Sequence, residues 1–236
     1  MKPPTEIDGF SVFYSDEKFA EAFPRIREVL DTRAGQILGD RMDAPKRKRL
    51  ILKAEIAGIP VVLKRELFVF RFDRSIKACL FGSDAKNIFR ISTHARKRGF
   101  TNIPQTFLVA EKFSRGVLRE TISVTEFLEG HALQLPLSEP TLQKVSALLA
   151  ECHAHGIISG DVQTDNFIKT AEDIKLIDFR GNKVFPWLSQ ARDRIQLEHN
   201  LGIKNTRPGL PEKIFFFLNS LRNFSRRLRG KSPQQD

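Results

Sequence analysis

The chain has 236 residues, of which 41% are hydrophobic, and it carries a formal net charge of +11, from 39 Lys and Arg against 28 Asp and Glu. This length suffices for one sizeable domain or two small lobes with a real core, and the charge predicts an anionic partner such as nucleic acid, an acidic membrane surface or a phosphorylated substrate. Two cysteines, Cys79 and Cys152, are too few for a disulfide framework and fit a reducing cytoplasm.

The first half of the chain predicts a leading helix followed by strands. The N-terminus lacks the apolar region of a secretory signal, and no later run reaches the ~18 apolar residues of a spanning helix, so we expect neither export nor a membrane span. Apolar residues at helical spacing predict one helix over residues 16–30, despite Pro24. Strand-like runs separated by turn residues such as Ala57-Gly58 then predict an antiparallel sheet. These runs begin at Gln36, Arg49, Ile59, Thr106 and Leu118, with a helix between them that ends at Lys97-Arg98-Gly99.

The second half of the chain predicts mainly helices. A helix with Pro140 in its first turn and Gly156 just past its end buries one apolar face. A short hairpin follows, from Asn166 through a turn near Asp173 to Asp178, and helical patterns continue to the C-terminus. The predicted order is therefore sheet first and helices second.

Asp161 and Asn166 stand five residues apart directly after the capped helix, as do the aspartate and asparagine of a kinase catalytic loop. In that chemistry Asp161 orients the acceptor hydroxyl and takes its proton, and Asn166 holds a metal ion. Asp178 ends the hairpin in Ile177-Asp178-Phe179-Arg180-Gly181, where a carboxylate can face the same ion. The spacing of Asp161 and Asn166 alone also fits an ordinary polar turn.

The predicted sheet supplies candidates for nucleotide binding. In Pro60-Val-Val-Leu-Lys64, strand alternation puts Val62 and Lys64 on one face, so Val62 can pack on adenine while Lys64 reaches the ATP phosphates. Backbone groups of Glu126 and Leu128, at the end of an apolar strand, are predicted to bind adenine. A solvated strand lysine is the alternative for Lys64. His153 and His155 beside Cys152 lack the second ligand cluster of a metal site.

Three segments resemble the bacterial lipopolysaccharide core heptose kinases, especially the heptose(II) kinase: Ala154-His-Gly-Ile-Ile-Ser-Gly-Asp161, Asn166-Phe-Ile, and Ala191-Arg-Asp-Arg-Ile-Gln-Leu-Glu-His-Asn-Leu-Gly-Ile203. The resemblance runs from about Gly35 to Asn205. It implies an α+β, two-lobed protein-kinase-like fold, with a small antiparallel-sheet lobe and a mainly helical lobe. We expect residues 1–128 to form the first lobe with its leading helix, residues 129–236 the catalytic lobe with a basic tail, and the two to make one kinase-like domain.

The resemblance also implies a cytoplasmic enzyme that uses ATP and Mg²⁺ to phosphorylate a heptose hydroxyl of the lipopolysaccharide inner core beside the inner membrane. Similarity to kinases further implies that Asp193 supports the backbone of the catalytic loop, although an ordinary surface aspartate is the alternative. The open alternatives for function are a kinase of Kdo, heptose I or an aminoglycoside, or a pseudokinase that only binds a partner. Nucleic-acid binding is not expected, because only the charge suggests it.

The sequence departs from the kinase pattern at three places. Ser159 and Gly160 replace the His-Arg of protein kinases, and no glycine-rich phosphate loop joins the first strands. Residues 73–98, where a helix glutamate should pair with Lys64, contain no glutamate, so either Asp84 substitutes or the lysine is held in another way. These departures favour the pseudokinase alternative, whereas the complete set of Asp161, Asn166 and Asp178 favours the enzyme.

The C-terminal segment, residues 213–231, combines phenylalanines with clustered cations, a composition that suits an anionic membrane surface. The alternative is a last helix whose apolar side chains all pack on the protein core. That alternative would bury Phe215, Phe216, Leu218, Leu221 and Phe224.

Overall fold

A computed structural model describes residues 3–45, 47–68, 83–181, 185–203 and 209–228. The chain divides into two compact units, Met1–Leu128 and Glu129–Asp236. Cys79, the first part of residues 73–98 and the last part of residues 213–231 lie outside the described residues.

The first unit is built on a seven-stranded sheet with the order β1-β2-β6-β7-β5-β4-β3, in which all neighbours are antiparallel. Two-residue turns with positive φ at both positions join three of the hairpins, as at Ala57 (φ 53°) and Gly58 (φ 73°). The predicted antiparallel sheet is therefore confirmed. Its strands are β1 (Thr5–Ile7), β2 (Phe10–Tyr14), β3 (Gln36–Asp40), β4 (Arg47–Ile56), β5 (Ile59–Phe68), β6 (Thr106–Ser114) and β7 (Val117–Glu126).

Two short helices, α1 (Glu17–Glu21) and α2 (Phe23–Thr32), pack on one face of this sheet. The prediction of a single helix over residues 16–30 is wrong, because Pro24 lies in the first turn of α2, where its missing N–H costs nothing. Phe19, Phe23 and Ile26 from these helices are fully buried with Val61 and Leu63 of β5. The other face of β5 therefore presents Val62, Lys64 and Glu66.

That other face is covered by α3 (Asp84–Lys97), whose Phe89 packs against Phe13 and Val109. Ser83 caps the helix by accepting the Lys86 N–H at 3.0 Å, and Glu111 of β6 accepts the Ser83 N–H at 3.0 Å. In a capping box a glutamate of the helix itself performs the second task. Here the sheet supplies that carboxylate and so fixes where the helix begins.

Among its described residues, the second unit has three long helices and two small sheets, and the helix with Pro140 in its first turn is present as predicted. Within the described residues, no helix is long and apolar enough to cross a membrane. The elements are α4 (Glu139–Ala154), α5 (Pro186–Leu201) and α6 (Leu210–Leu228), a sheet of β8 (His131–Ala132), β10 (Phe167–Lys169) and β11 (Ile174–Leu176), and the pair of β9 (Ile157–Ile158) and β12 (Arg180–Gly181).

The last helix, α6, is tied to α5 through a buried carboxylate. Glu212, 2% exposed, accepts a hydrogen bond from Arg194 Nε at 2.6 Å and from the Gly209 N–H at 2.9 Å. Burial alone would raise the pKa of Glu212, but the Arg194 guanidinium and the two neighbouring backbone amides hold that pKa below its ordinary value. The alternative of a fully packed last helix is wrong for four of its five side chains, since Phe216, Leu218, Leu221 and Phe224 are exposed.

Candidate active site

The loop from Ser159 to Gln163 joins β9 to a 3₁₀ turn at Thr164–Asn166, and one carboxylate of α5 holds its beginning. Asp193 is fully buried, and its two oxygens accept hydrogen bonds from the Ser159 N–H at 2.9 Å and the Gly160 N–H at 2.8 Å. His153 Nε2 lies 3.0 Å from Asp193 Oδ2. Charge-assisted bonds of this length are strong, so the backbone just before Asp161 is rigidly placed.

Three further side chains of α5 act beside Asp193. Asn200 Nδ2 donates to the Val162 carbonyl at 2.7 Å, and Gln196 Oε1 accepts the Val162 N–H at 3.3 Å. Gln190 Nε2 donates to the His153 carbonyl at 3.3 Å. The spacing of three and four residues brings these groups to one side of the helix. We call Gln190, Asp193, Gln196 and Asn200 the loop-holding face; it fixes the chain on both sides of Asp161.

Asn166 is bonded directly to the loop that carries Asp161. Its Nδ2 donates to the Asp161 carbonyl at 2.7 Å, and Ser159 Oγ donates to the same carbonyl at 3.0 Å. Because Nδ2 makes this hydrogen bond, Oδ1 is the side-chain atom of Asn166 that can bind a cation. The side chain of Asp161 is half-buried, and within the described residues no group bonds its carboxylate.

Asp178 comes to the same place through the hairpin of β10 and β11. Phe167 pairs with Leu176, and the Ile177 N–H donates to the Asn166 carbonyl at 2.8 Å, so Asp178 follows directly after the residue bonded to Asn166. Its φ of 51° lies in the left-handed region, which aspartate enters more readily than most residues. Such backbone geometry in a non-glycine residue is concentrated at functional sites. The structure thus brings Asp161, Asn166 and Asp178 together.

The oxygen donors of Asn166 and Asp178 fit Mg²⁺. This ion prefers oxygen ligands and is commonly held by one or two protein groups together with substrate phosphates and water. Among the described residues, no cluster of three or more His, Cys, Asp or Glu could hold a metal without help. Two protein oxygen donors match the usual arrangement of an ion shared with a phosphate.

The side chains of His153 and Cys152 are largely buried, at 10% and 0% exposure. His153 faces Asp193, and Cys152 is fully buried on α4. Burial first, and then the charges of Glu151 and Asp193, raise the pKa of the Cys152 thiol to about 12. A thiol that stays protonated is a poor metal ligand.

Lys64 lies on the face of the sheet that α3 covers, where alternation also places Val62. Its Nζ is 3.4 Å from Oε1 of Glu66, two residues along the same strand. Asp84, the substitute considered from the sequence, is exposed in the first turn of α3. Within the part of the chain that the structure describes, the acidic neighbour of Lys64 is a strand glutamate, which the search of the helix missed.

Glu126 has a structural task that sequence reasoning missed. Its N–H donates to the Gln105 carbonyl at 2.8 Å, and its carboxylate accepts the Gln105 N–H at 3.0 Å and Arg96 Nη2 at 2.7 Å. The predicted backbone contact of Glu126 with adenine is thus limited to its carbonyl oxygen, because the N–H is already bonded. Leu128 is half-buried two residues beyond β7.

The sheet followed by helices, with an Asp–Asn–Asp set at the end of a buried loop, defines a protein-kinase-like fold, as predicted. The fold is similar to that of a solved structure, WaaP in complex with acyl carrier protein, with a TM-score of 0.53 at 16% identity over 89% of this chain and 88% of that one. Residues 45–231 match the family described as "Lipopolysaccharide core biosynthesis protein (WaaY)". The chain belongs to this family.

Two curated relatives carry the name lipopolysaccharide core heptose(II) kinase WaaY. One, from Escherichia coli strain K12, is 30% identical over 165 residues, which are 69% of this chain and 71% of the relative. The other, also from Escherichia coli, is 27% identical over 232 residues, 95% of this chain and 96% of the relative. The family resemblance stated from sequence is confirmed, and kinase relatives imply the use of ATP.

Proposed function

We propose that this protein transfers the γ-phosphate of ATP to a hydroxyl of heptose II in the lipopolysaccharide inner core. The names of the two relatives supply the sugar. The observation that carries the chemistry is the bond from Asn166 to the Asp161 carbonyl within a loop that α5 holds on both sides. A binding-only protein has no need of so rigid a loop.

Asp161 holds the acceptor hydroxyl and takes its proton as the hydroxyl oxygen attacks the γ-phosphorus and ADP leaves. Its half-buried carboxylate, free of bonds to the described residues, supports this role. Asn166 Oδ1 and the Asp178 carboxylate hold Mg²⁺, which neutralises charge on the phosphates. Asp193 acts at a distance, because it fixes the amides of Ser159 and Gly160 and so sets the direction of Asp161.

Lys64 binds the ATP phosphates, Val62 packs on adenine, and the Glu126 carbonyl with the Leu128 backbone binds the adenine edge. The shared face of Val62 and Lys64 on β5 supports the first two roles. We include in the proposal that residues 1–128 and 129–236 are the two lobes of one kinase-like domain.

The test is phosphate transfer from ATP to purified core oligosaccharide, with mass spectrometry locating any added phosphate. We expect a new phosphate on heptose II with the wild type and almost none with Asp161→Asn. Phosphate found on heptose I or Kdo would move the proposal to another sugar. Nucleotide binding without any transfer would replace the enzyme by a pseudokinase, and equal transfer by both proteins would refute the role of Asp161.

We further propose that the protein works in the cytoplasm on the inner face of the inner membrane, with α6 as its contact. Leu210, Phe217, Leu221 and Phe224 recur on one side of the helix and are 70%, 62%, 49% and 62% exposed. We call these four the exposed stripe. Glu212, which is tied to α5, lies well away from the stripe around the helix. Exposed Lys213 and Arg227 flank the stripe, as expected of a helix at an anionic surface.

Vesicle flotation tests this contact. We expect the full chain to float with vesicles that contain phosphatidylglycerol and much less with neutral phosphatidylcholine vesicles. Replacing Phe217, Leu221 and Phe224 by serine should abolish flotation, whereas the matched change of Phe216 and Leu218, which lie beside the stripe, should weaken it less. Equal flotation of both variants would exclude the stripe as the membrane contact.

A further inference from the structure

The face of the sheet that carries Lys64 contains two buried glutamates. Glu66 of β5, Thr121 of β7 and Glu111 of β6 are direct cross-strand partners and are 5%, 2% and 3% exposed. A buried carboxylate is costly unless a hydrogen bond or an opposite charge compensates it. Glu111 is compensated by the Ser83 N–H at the start of α3. Glu66 lies beside the opposite charge of Lys64, which is one of its partners.

In this pair the carboxylate is more deeply buried than the ammonium. The Glu66 side chain is only 7% exposed, whereas the Lys64 side chain is 30% exposed, and Nζ and Oε1 are 3.4 Å apart. This distance exceeds the 2.7–3.2 Å typical of a hydrogen bond, so the carboxylate attracts the ammonium without occupying its donors. The ammonium therefore keeps its N–H groups for another anion.

The backbone of β5 fixes the position of Glu66 relative to Lys64. β5 lies inside the sheet between β7 and β4, with continuous pairing on both sides from Val61 to Leu67. Residues two apart on a strand point to the same side, so the separation of Lys64 and Glu66 is set by the strand alone. A partner on α3 would instead depend on where that helix lies.

We propose that Glu66 is a positioning residue that directs the Lys64 ammonium toward the phosphates of ATP, in place of the helix glutamate that α3 lacks. This inference rests on the proposed role of Lys64 in nucleotide binding. It predicts that the lysine is held in its working position whether or not α3 moves.

The sign of the effect of Glu66→Gln tests the proposal. Removing a negative charge near a phosphate site would by simple electrostatics tighten ATP binding. Loss of positioning instead predicts a fall in kcat/KM for ATP of about tenfold, with KM for the acceptor unchanged. Glu66→Asp, which keeps the charge on a shorter side chain, should recover part of the loss.

Glu120→Gln is the matched control, because Glu120 is a buried glutamate of the adjacent strand that pairs with Arg65 at 2.6 Å on the opposite face. Both variants should lower the melting temperature, but only Glu66→Gln should change kcat/KM for ATP. An unchanged or increased kcat/KM in Glu66→Gln, or an equal loss in Glu120→Gln, would overturn the proposal.

Binding of a fluorescent ATP analogue separates this inference from the proposed function. Lys64→Ala should weaken binding of the analogue, and Glu66→Gln should add no further loss in the Lys64→Ala background. If Lys64→Ala leaves the affinity unchanged, the proposed role of Lys64 itself fails. If Lys64→Ala weakens binding but Glu66→Gln multiplies that loss, Glu66 acts independently of Lys64 and only the inference fails.

Discussion

The loop that carries Asp161 and the strand that carries Lys64 are held in different ways. The loop receives four hydrogen bonds of 2.7–3.3 Å from three side chains of α5, with Asp193 fully buried at their centre. Among the described residues, the acidic neighbour of Lys64 is Glu66 of its own strand, at 3.4 Å. A base that removes a proton must be placed within a fraction of an ångström, whereas the attraction of a cation for phosphates falls slowly with distance. Each region is therefore held as accurately as its proposed task demands.

Asp193→Asn should produce the largest effect, because it removes the charge that two amides share and turns an N–H donor toward another donor. We expect a loss of about 2–4 kcal/mol in the free energy of unfolding and a fall in kcat of about a hundredfold. Urea unfolding and initial rates at saturating substrates measure the two quantities. A smaller loss of stability than that of Glu66→Gln would reverse the contrast between the two regions.

Asn200→Ala tests how the loop is held directly after Asp161. It removes the hydrogen bond to the Val162 carbonyl, so unfolding should become easier by about 1 kcal/mol and kcat should fall several-fold with KM for ATP unchanged. Glu198→Ala, at an exposed position of the same helix, is the control and should change neither quantity. A rise in KM for ATP alone would mean that the loop-holding face acts on nucleotide binding.

Glu212→Gln tests the ion pair by which α6 is attached to α5, the helix that holds the loop. The folded-state pKa of Glu212 is lowered, so its stabilisation is complete above the unfolded-state value of about 4.3 and is lost as the pH falls through the folded-state pKa. The difference in unfolding free energy between wild type and Glu212→Gln should therefore be constant from pH 7 to about 5 and shrink below about 4.3. A difference that is the same at all pH values would mean that the charge of Glu212 is not involved.

The reactivity of Cys152 tests the packing beside Asp193, and the effect of a substitution on it should be the smallest. With a pKa raised to about 12, the buried thiol should react with a disulfide reagent about a hundredfold more slowly in the folded than in the unfolded protein at neutral pH, measured in a Cys79→Ser background. Asp193→Asn should speed this reaction slightly, because the Asp193 charge contributes to the raised pKa. Equal rates in the folded and unfolded states would show that the helix bearing Cys152 opens freely.

The parts of the site that the sequence predicted are local. Asp161, Asn166 and Asp178 lie within one loop and one hairpin, so their spacing along the chain determines their spacing in the fold. Asp193 was available only through resemblance to kinases, although polar residues at spacings of three and four on a helix with buried Ala191 and Leu197 were a readable signal for the whole loop-holding face. The roles of all the predicted site residues stay predictions: Asp161, Asn166, Asp178, Asp193, Lys64, Val62, Glu126 and Leu128.

What the sequence did not reveal depends on pairing between distant segments. Glu66 was overlooked because a glutamate next to strand residues looks solvent-exposed until the register buries it beside Thr121. The side chain of Glu126, at the end of β7, was overlooked for the same reason. Its partners Arg96 and Gln105 come from α3 and from the loop that follows α3. Only the split of the first helix at Pro24 was a misjudged local signal.

The loop-holding face also constrains how the protein is made. The bonded residues of the loop and of α5 are 33 to 38 positions apart, and the loop always comes first. At ~5–20 residues per second, a ribosome needs roughly two to eight seconds to add that stretch. During this interval the loop backbone at Ser159, Gly160 and Val162 has been synthesised, but the α5 side chains that bond to it have not. In a growing chain, the backbone on both sides of Asp161 therefore gains these hydrogen bonds only after α5 has been synthesised.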